Sequence, residues 1–151
     1  MIRVQTEAFD AGVLLGEFSR GRTDCGAVVS FTGLARASTD GEPVSVLELD
    51  AYPGFTETAI EAMACEARER FEVKDLMIVH RYGLIAPGEA IVFVAAAAEH
   101  RRAAFQAADF LMDKLKTQAP FWKKETGPDG ERWIEPRAPD YEDAARWSHT
   151  P

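Results

Sequence analysis

The stretch AIVFVAAAA, Ala90 to Ala98, constrains the fold of this chain more than any other. It is the longest apolar run, yet it falls well short of the roughly 20 residues a helix needs to cross a bilayer. Pro87-Gly88 before it is a turn signal. A second strand-like segment, Leu76 to Tyr82, lies on the other side of that turn, so the two read as strands of an antiparallel hairpin. HRRAAFQAADFLMDKLKTQ follows as a helix that begins near His100. It ends before Pro120, because the residue preceding proline is pushed out of the helical region.

Around this centre the other elements are shorter. Ile2 to Thr6 reads as a strand, and Asp10 can cap a helix with Val13, Leu14 and Phe18 on one side. Ala27 to Thr32 is β-rich and ends at Gly33, which frees the backbone for a loop carrying Arg36. After the polar connection Ala37 to Pro43 comes the strand VSVLELDAY, stopped by Pro53-Gly54. Thr56 can cap the next helix, where Ile60, Met63, Ala64, Ala67 and Phe71 recur at helical spacing. PFWKKE and ERWIE flank Gly127-Pro128-Asp129-Gly130 as a small hairpin, and DYEDAARW is a short tail helix. Strands and helices interleave without a strict βαβ rhythm, which predicts an α+β fold.

With 151 residues, 46% of them hydrophobic, the chain suits one domain over 1–151 with little left for a second. A net charge of -8 and a pI near 4.9 argue against a generic nucleic-acid or anionic-membrane binder. A local basic pocket inside an acidic shell stays open. Cys25 and Cys65 stand far apart, outside any C-x-x-C pattern, and read as buried thiols in a reducing cytosol. MIRVQTEAFD lacks the charged and apolar regions of a signal peptide, so a cytoplasmic protein is expected.

Lys116 is the first candidate for chemistry. Phe105, Asp109, Met112 and Lys116 share a helical stripe, so Lys116 can lie along an apolar wall, where desolvation lowers a lysine pKa. The alternative is a helix-end lysine that complements the macrodipole. Lys123 follows the stiff Pro120-Phe121-Trp122 corner, with alternation setting Phe121 and Lys123 on one face and Trp122 and Lys124 on the other. If the corner returns Lys123 toward Lys116, the two ammonium groups repel unless an anion sits between them; otherwise they are ordinary surface lysines.

Glu99-His100-Arg101-Arg102 opens the long helix, where backbone N–H groups favour anions and cationic side chains are disfavoured unless an anion compensates. Exposed arginines paired with surface carboxylates are the other reading. Arg36 is a planar fork suited to phosphate, and Arg137 is a weaker basic candidate. His80 lies in a strand and His149 in the tail, so no Cys/His metal spacing arises with His100. Nucleotide-binding glycine motifs and G-x-S-x-G are absent from the sequence.

In order, VSFTGLAR, LDAYPGFTE, the block from His80 to Glu125 and GERWIE closely resemble the large, catalytic subunit family of molybdopterin synthases. The resemblance spans Gly26 to Trp147. It implies an α/β-hammerhead-like fold with an additional small antiparallel β subdomain. It also implies a homodimer of large subunits that binds two small ubiquitin-like sulfur carriers as a heterotetramer. Each carrier would insert a C-terminal Gly-Gly thiocarboxylate, and its sulfur would pass, in two rounds, to cyclic pyranopterin monophosphate to make the dithiolene of molybdopterin. No metal, cofactor, nucleic acid or membrane enters this subunit's part.

Carried over by position, the resemblance assigns the family's two lysines to Lys116, facing the thiocarboxyl terminus, and Lys123, facing pterin or phosphate. Arg36, His100 and Arg101 match its anion-binding residues, some of which can act across the dimer interface. Phe31 and Met112 match its apolar wall, and Arg137 is added to the substrate-binding set. Leu34-Ala35 departs from a loop that is often more basic. The rival expectation is a non-catalytic module that binds a phosphorylated metabolite or an acidic peptide with the same side chains.

Overall fold

In the computed structural model, which describes residues 1–148, the chain runs β1 (Ile2–Gln5), α1 (Ala11–Ser19), β2 (Ala27–Leu34), β3 (Ser38–Thr39), β4 (Glu42–Pro43) and β5 (Val46–Ala51). It continues through α2 (Phe55–Arg70), β6 (Val73–Arg81), β7 (Gly83–Ile85), β8 (Ala90–Ala98) and α3 (Arg101–Gln118). β9 (Phe121–Gly127), β10 (Gly130–Ile134), α4 (Ala138–Ala145) and a 3₁₀ turn (Arg146–Ser148) complete it. His149 lies outside the described residues.

The sequence's long apolar run is the second inner strand of a sheet ordered β1-β6-β8-β2. β6 and β8 pair antiparallel, as the turn signal between them requires, with Ile78 opposite Val94. β1 joins the far side in parallel. The lack of polar alternation in β8 has a direct cause: both faces are covered. Phe93, Ala95 and Ala97 face Leu14 and Phe18 of α1. Val92, Val94 and Ala96 face Ile60 and Ala64 of α2 and Phe110 and Leu111 of α3. Small alanines on strand and helices allow close approach, and Ala64, Ala67, Ala104 and Ala107 are wholly buried.

The second sheet, ordered β10-β9-β5-β7, is antiparallel throughout. The chain crosses from the first sheet to the second between β6 and β7. Gly83 makes the break there with φ +88°, a conformation that costs a side-chain-bearing residue steric strain. The architecture is α+β, as the interleaving predicts, with the second sheet as the additional antiparallel unit.

Several local expectations are corrected. Gly54, not Thr56, caps α2; the Glu57 carboxylate accepts from the Gly54 N–H at 2.6 Å. Thr56 is instead buried, where its hydroxyl accepts from the Tyr52 N–H at 2.9 Å and donates to the Pro120 carbonyl at 3.3 Å. The polar connection holds the two-residue strands β3 and β4, joined through Asp40 and Gly41 with φ 52° and 84°, the turn geometry that suits a hairpin's twist. Cys65 is exposed and Cys25 half-buried, against the expectation of two buried thiols. Val13 is exposed, and Leu14 and Phe18 are the buried anchors of α1. Asp10 does cap that helix, accepting from the Val13 N–H at 2.9 Å. Asp10→Ala should therefore lower unfolding free energy by about 1 kcal/mol, read as a lower urea midpoint at unchanged slope.

Candidate active site

Where the C-terminal turn of α3 meets the seam between the two sheets, a cavity of about 620 Å³ opens. Phe31, Gly33 and Arg36 reach it from β2 and the loop beyond, and Leu47 and Leu49 from β5. Met112 and Lys116 come from α3, and Phe121 and Lys123 from β9. Five sequence candidates, Phe31, Arg36, Met112, Lys116 and Lys123, thus meet in one cavity although far apart in the chain.

β9 aims Lys123 by strand alternation. Phe121 and Lys123 turn toward the cavity, while Trp122 packs edge-on against Tyr52 at 4.8 Å. Lys124 lies over Trp133 and pairs with Glu48 at 3.1 Å and Glu131 at 3.5 Å. The lysine doublet therefore divides into a cavity lysine and a structural one.

Lys123 is the desolvated lysine of the pair. Burial lowers its pKa below the ordinary lysine value, and the charges of Lys116 and Arg36 push it the same way against the opposing pull of Glu125. Of the two readings of Lys116, the helix-end lysine is the one found, because Lys116 is exposed. Its helical stripe runs along the rim of the buried face, as the 61% exposure of Phe105 shows. Three cationic side chains thus face a common space, an arrangement that an anion stabilises.

Glu125 holds Lys123 in place, with its carboxylate 3.6 Å from the ammonium. The carboxylate is buried, accepts from the Thr39 hydroxyl at 2.8 Å and pairs with Arg132 at 3.2 Å. Burial pushes the Glu125 carboxyl up, but Thr39, Lys123 and Arg132 together outweigh burial and hold it below the usual carboxylate range. The short strand β3 contributes Thr39 to this network, a role that the polar composition of its loop does not reveal.

His80 is the cavity residue that sequence reasoning missed. Its ring stacks on Phe121 with centroids 3.9 Å apart and planes 19° from parallel. Nδ1 lies 2.9 Å from the Arg81 carbonyl. Burial pushes its pKa down to about 4. The available signal is the polar pair His80-Arg81 ending the apolar strand LMIV, a placement that asks for partners.

Three other candidates lie elsewhere. His100 is the N-cap of α3 and Arg101 its first residue, both exposed. The helical rise sets His100 about 24 Å along the axis from Lys116. Arg137 is the N-cap of α4 and pairs with Asp40 at 2.9 Å rather than lining the cavity. Among the described residues no group of three or more His, Cys, Asp or Glu side chains is arranged to hold a metal ion. No described helix is long and apolar enough to cross a membrane.

Comparison with known proteins agrees with this geometry. The family model described as MoaE protein matches residues 4–118. The molybdopterin synthase catalytic subunit of Caulobacter vibrioides is 56% identical over 147 residues, covering 97% of each chain. That of Pseudomonas aeruginosa is 49% identical over 146 residues, again covering 97% of each. Among solved structures, the molybdopterin biosynthesis MoaE protein from Burkholderia ambifaria superimposes with a TM-score of 0.83 at 44% identity, covering 99% of this chain and 98% of its own. Matched over most of its length by the family model and over nearly all of it by close relatives, the chain belongs to the MoaE protein family.

Proposed function

We propose that this chain is the catalytic subunit of a molybdopterin synthase, a sulfurtransferase of molybdenum cofactor biosynthesis. It takes sulfur from the C-terminal thiocarboxylate of a small ubiquitin-like carrier and places it on cyclic pyranopterin monophosphate, in two rounds, to form the dithiolene. The observation that carries this reading is the meeting of Arg36, Lys116 and Lys123 around one cavity with an apolar wall. Arg36 supplies a planar donor for the substrate's phosphate.

The two lysines divide the work by environment. Lys116, exposed at the end of α3, presents its ammonium to the incoming acyl–sulfur terminus and stabilises the negative charge that develops on the acyl oxygen. Lys123, with its lowered pKa, has a larger neutral fraction than an ordinary lysine and exchanges protons with the pterin. Phe121 and Trp122, packed on opposite faces of β9, fix the strand that carries Lys123.

In this reading two chains form a homodimer, and each binds one carrier to give a heterotetramer. Phe31 and Phe105, both exposed beside Met112, offer apolar surface for self-association. His100 and Arg101, too far from their own Lys116, serve the neighbouring subunit's cavity. The chain works as a single domain in the cytoplasm, where Cys25 and Cys65 stay reduced.

Single-turnover mixing of the protein with thiocarboxylated carrier and cyclic pyranopterin monophosphate should produce dithiolene with two carrier sulfurs consumed per pterin. Correctly folded protein and active carrier that yield no product would overturn the proposal.

A further inference from the structure

The cationic side chains of the cavity supply hydrogen-bond donors. Arg36, Lys116 and Lys123 suit the anionic ends of substrate and carrier, but in their charged forms they can only donate. A pterin ring also carries N–H groups that lose their water on entering the cavity and then need acceptors. The carboxylates in the wall are either already engaged or exposed to water. Asp113 is held by Trp147 Nε1 at 2.6 Å and Arg146 at 2.7 Å, and Asp140 accepts from the Arg137 N–H at 2.6 Å. Glu135 and Asp143 are exposed.

His80 is different. The Arg81 carbonyl can only accept, so Nδ1 carries the ring proton and Nε2 carries a lone pair. The residue is only 8% exposed, and the stack on Phe121 fixes the ring plane. Nε2 has no hydrogen-bond partner among the described residues, and none of their side-chain nitrogens or oxygens that are sealed from solvent lacks one. Nε2 is therefore open to an incoming group, and the cavity His80 lines is the one shared with Lys123. Burial keeps the imidazole neutral at physiological pH.

We infer that His80 is a substrate-binding residue, its Nε2 accepting a hydrogen bond from an N–H of the pterin ring while the cationic side chains take the phosphate. This rests on the pterin reading above and adds to it the group that recognises the ring. The cationic residues recognise charge, which many metabolites share; a fixed neutral acceptor selects a heteroaromatic ring with a donor in register.

The test uses the full chain and two separate probes, a pterin without phosphate and inorganic phosphate. His80→Phe keeps an aromatic ring against Phe121 and removes the acceptor, along with the Nδ1–H bond to the Arg81 carbonyl. It should weaken pterin binding, followed by quenching of pterin fluorescence, about tenfold or more, with phosphate binding by calorimetry unchanged. His80→Gln, which restores an acceptor, should recover part of the loss. In turnover, KM for the cyclic substrate should rise far more than kcat falls. On the wild-type protein itself, pterin but not phosphate should move the His80 Nε2 nitrogen resonance upfield.

Equal pterin affinity in wild type and His80→Phe would overturn the assignment, as would parallel loss of pterin and phosphate binding or an unmoved Nε2 resonance. So would a wild type that binds no pterin. A wild type that binds pterin through His80 but makes no dithiolene would remove the synthase reading and leave the His80 assignment standing.

Discussion

Lys123→Met should lower the single-turnover rate of dithiolene formation by about 10²–10⁴-fold, the range for losing a positioned acid–base group. Carrier binding and the folded state should persist. Methionine fills similar space without a charge, and Glu125 keeps its contacts to Thr39 and Arg132 at 2.8 and 3.2 Å. The pH profile gives a sharper arm. The pKa of Lys123 is lowered, so its neutral form accumulates at a lower pH than for an ordinary lysine. The wild-type rate should rise with pH through that lowered pKa. Removing the positive charge of Lys116, one of the groups that lowers it, should move the ascending limb to higher pH. A rising limb unchanged by Lys123→Met would assign the titration to another group and sink the acid–base role.

The second large effect is expected at Lys116. Lys116→Ala should slow sulfur transfer by about 10²–10³-fold, comparable to losing one oxyanion-stabilising donor. Lys116 is exposed and makes no part of the core, so the melting temperature should hardly change. The informative comparison is carrier affinity. A variant that binds carrier normally and fails to transfer sulfur supports a role at the developing charge. One that transfers at the wild-type rate once carrier is saturating would reduce Lys116 to a docking contact.

The elements were legible in the chain wherever a local physical rule sufficed. Pro87-Gly88 announces the turn into β8, Pro120 ends α3, and Asp10 caps α1. Alternation alone separates Lys123 from Lys124, because strand geometry depends on neighbours only. The family could also be read from the block His80 to Glu125, since so long an ordered match carries information no single motif does.

Burial, by contrast, is set by what the chain packs against, and there the reading failed. The helical stripe of Lys116 left a desolvated and an exposed lysine both open, and that stripe lies at the rim of α3's buried face; Lys123 carries the shifted pKa because β9 folds it against the cavity. His80 looked like a strand residue without metal spacing, and only the meeting of β6 with β9 puts Phe121 under its ring. Thr39 looked like loop, and only the second sheet brings Glu125 to its hydroxyl. The sequence by itself determined the longer strands, the helices, several of their ends and the family, because propensity, capping and proline sterics act over a few residues. The tertiary structure decided which lysine is desolvated, which carboxylate holds it and which imidazole faces the cavity. Desolvation and charge coupling act through space, between residues that only the packing of two sheets and a helix brings together.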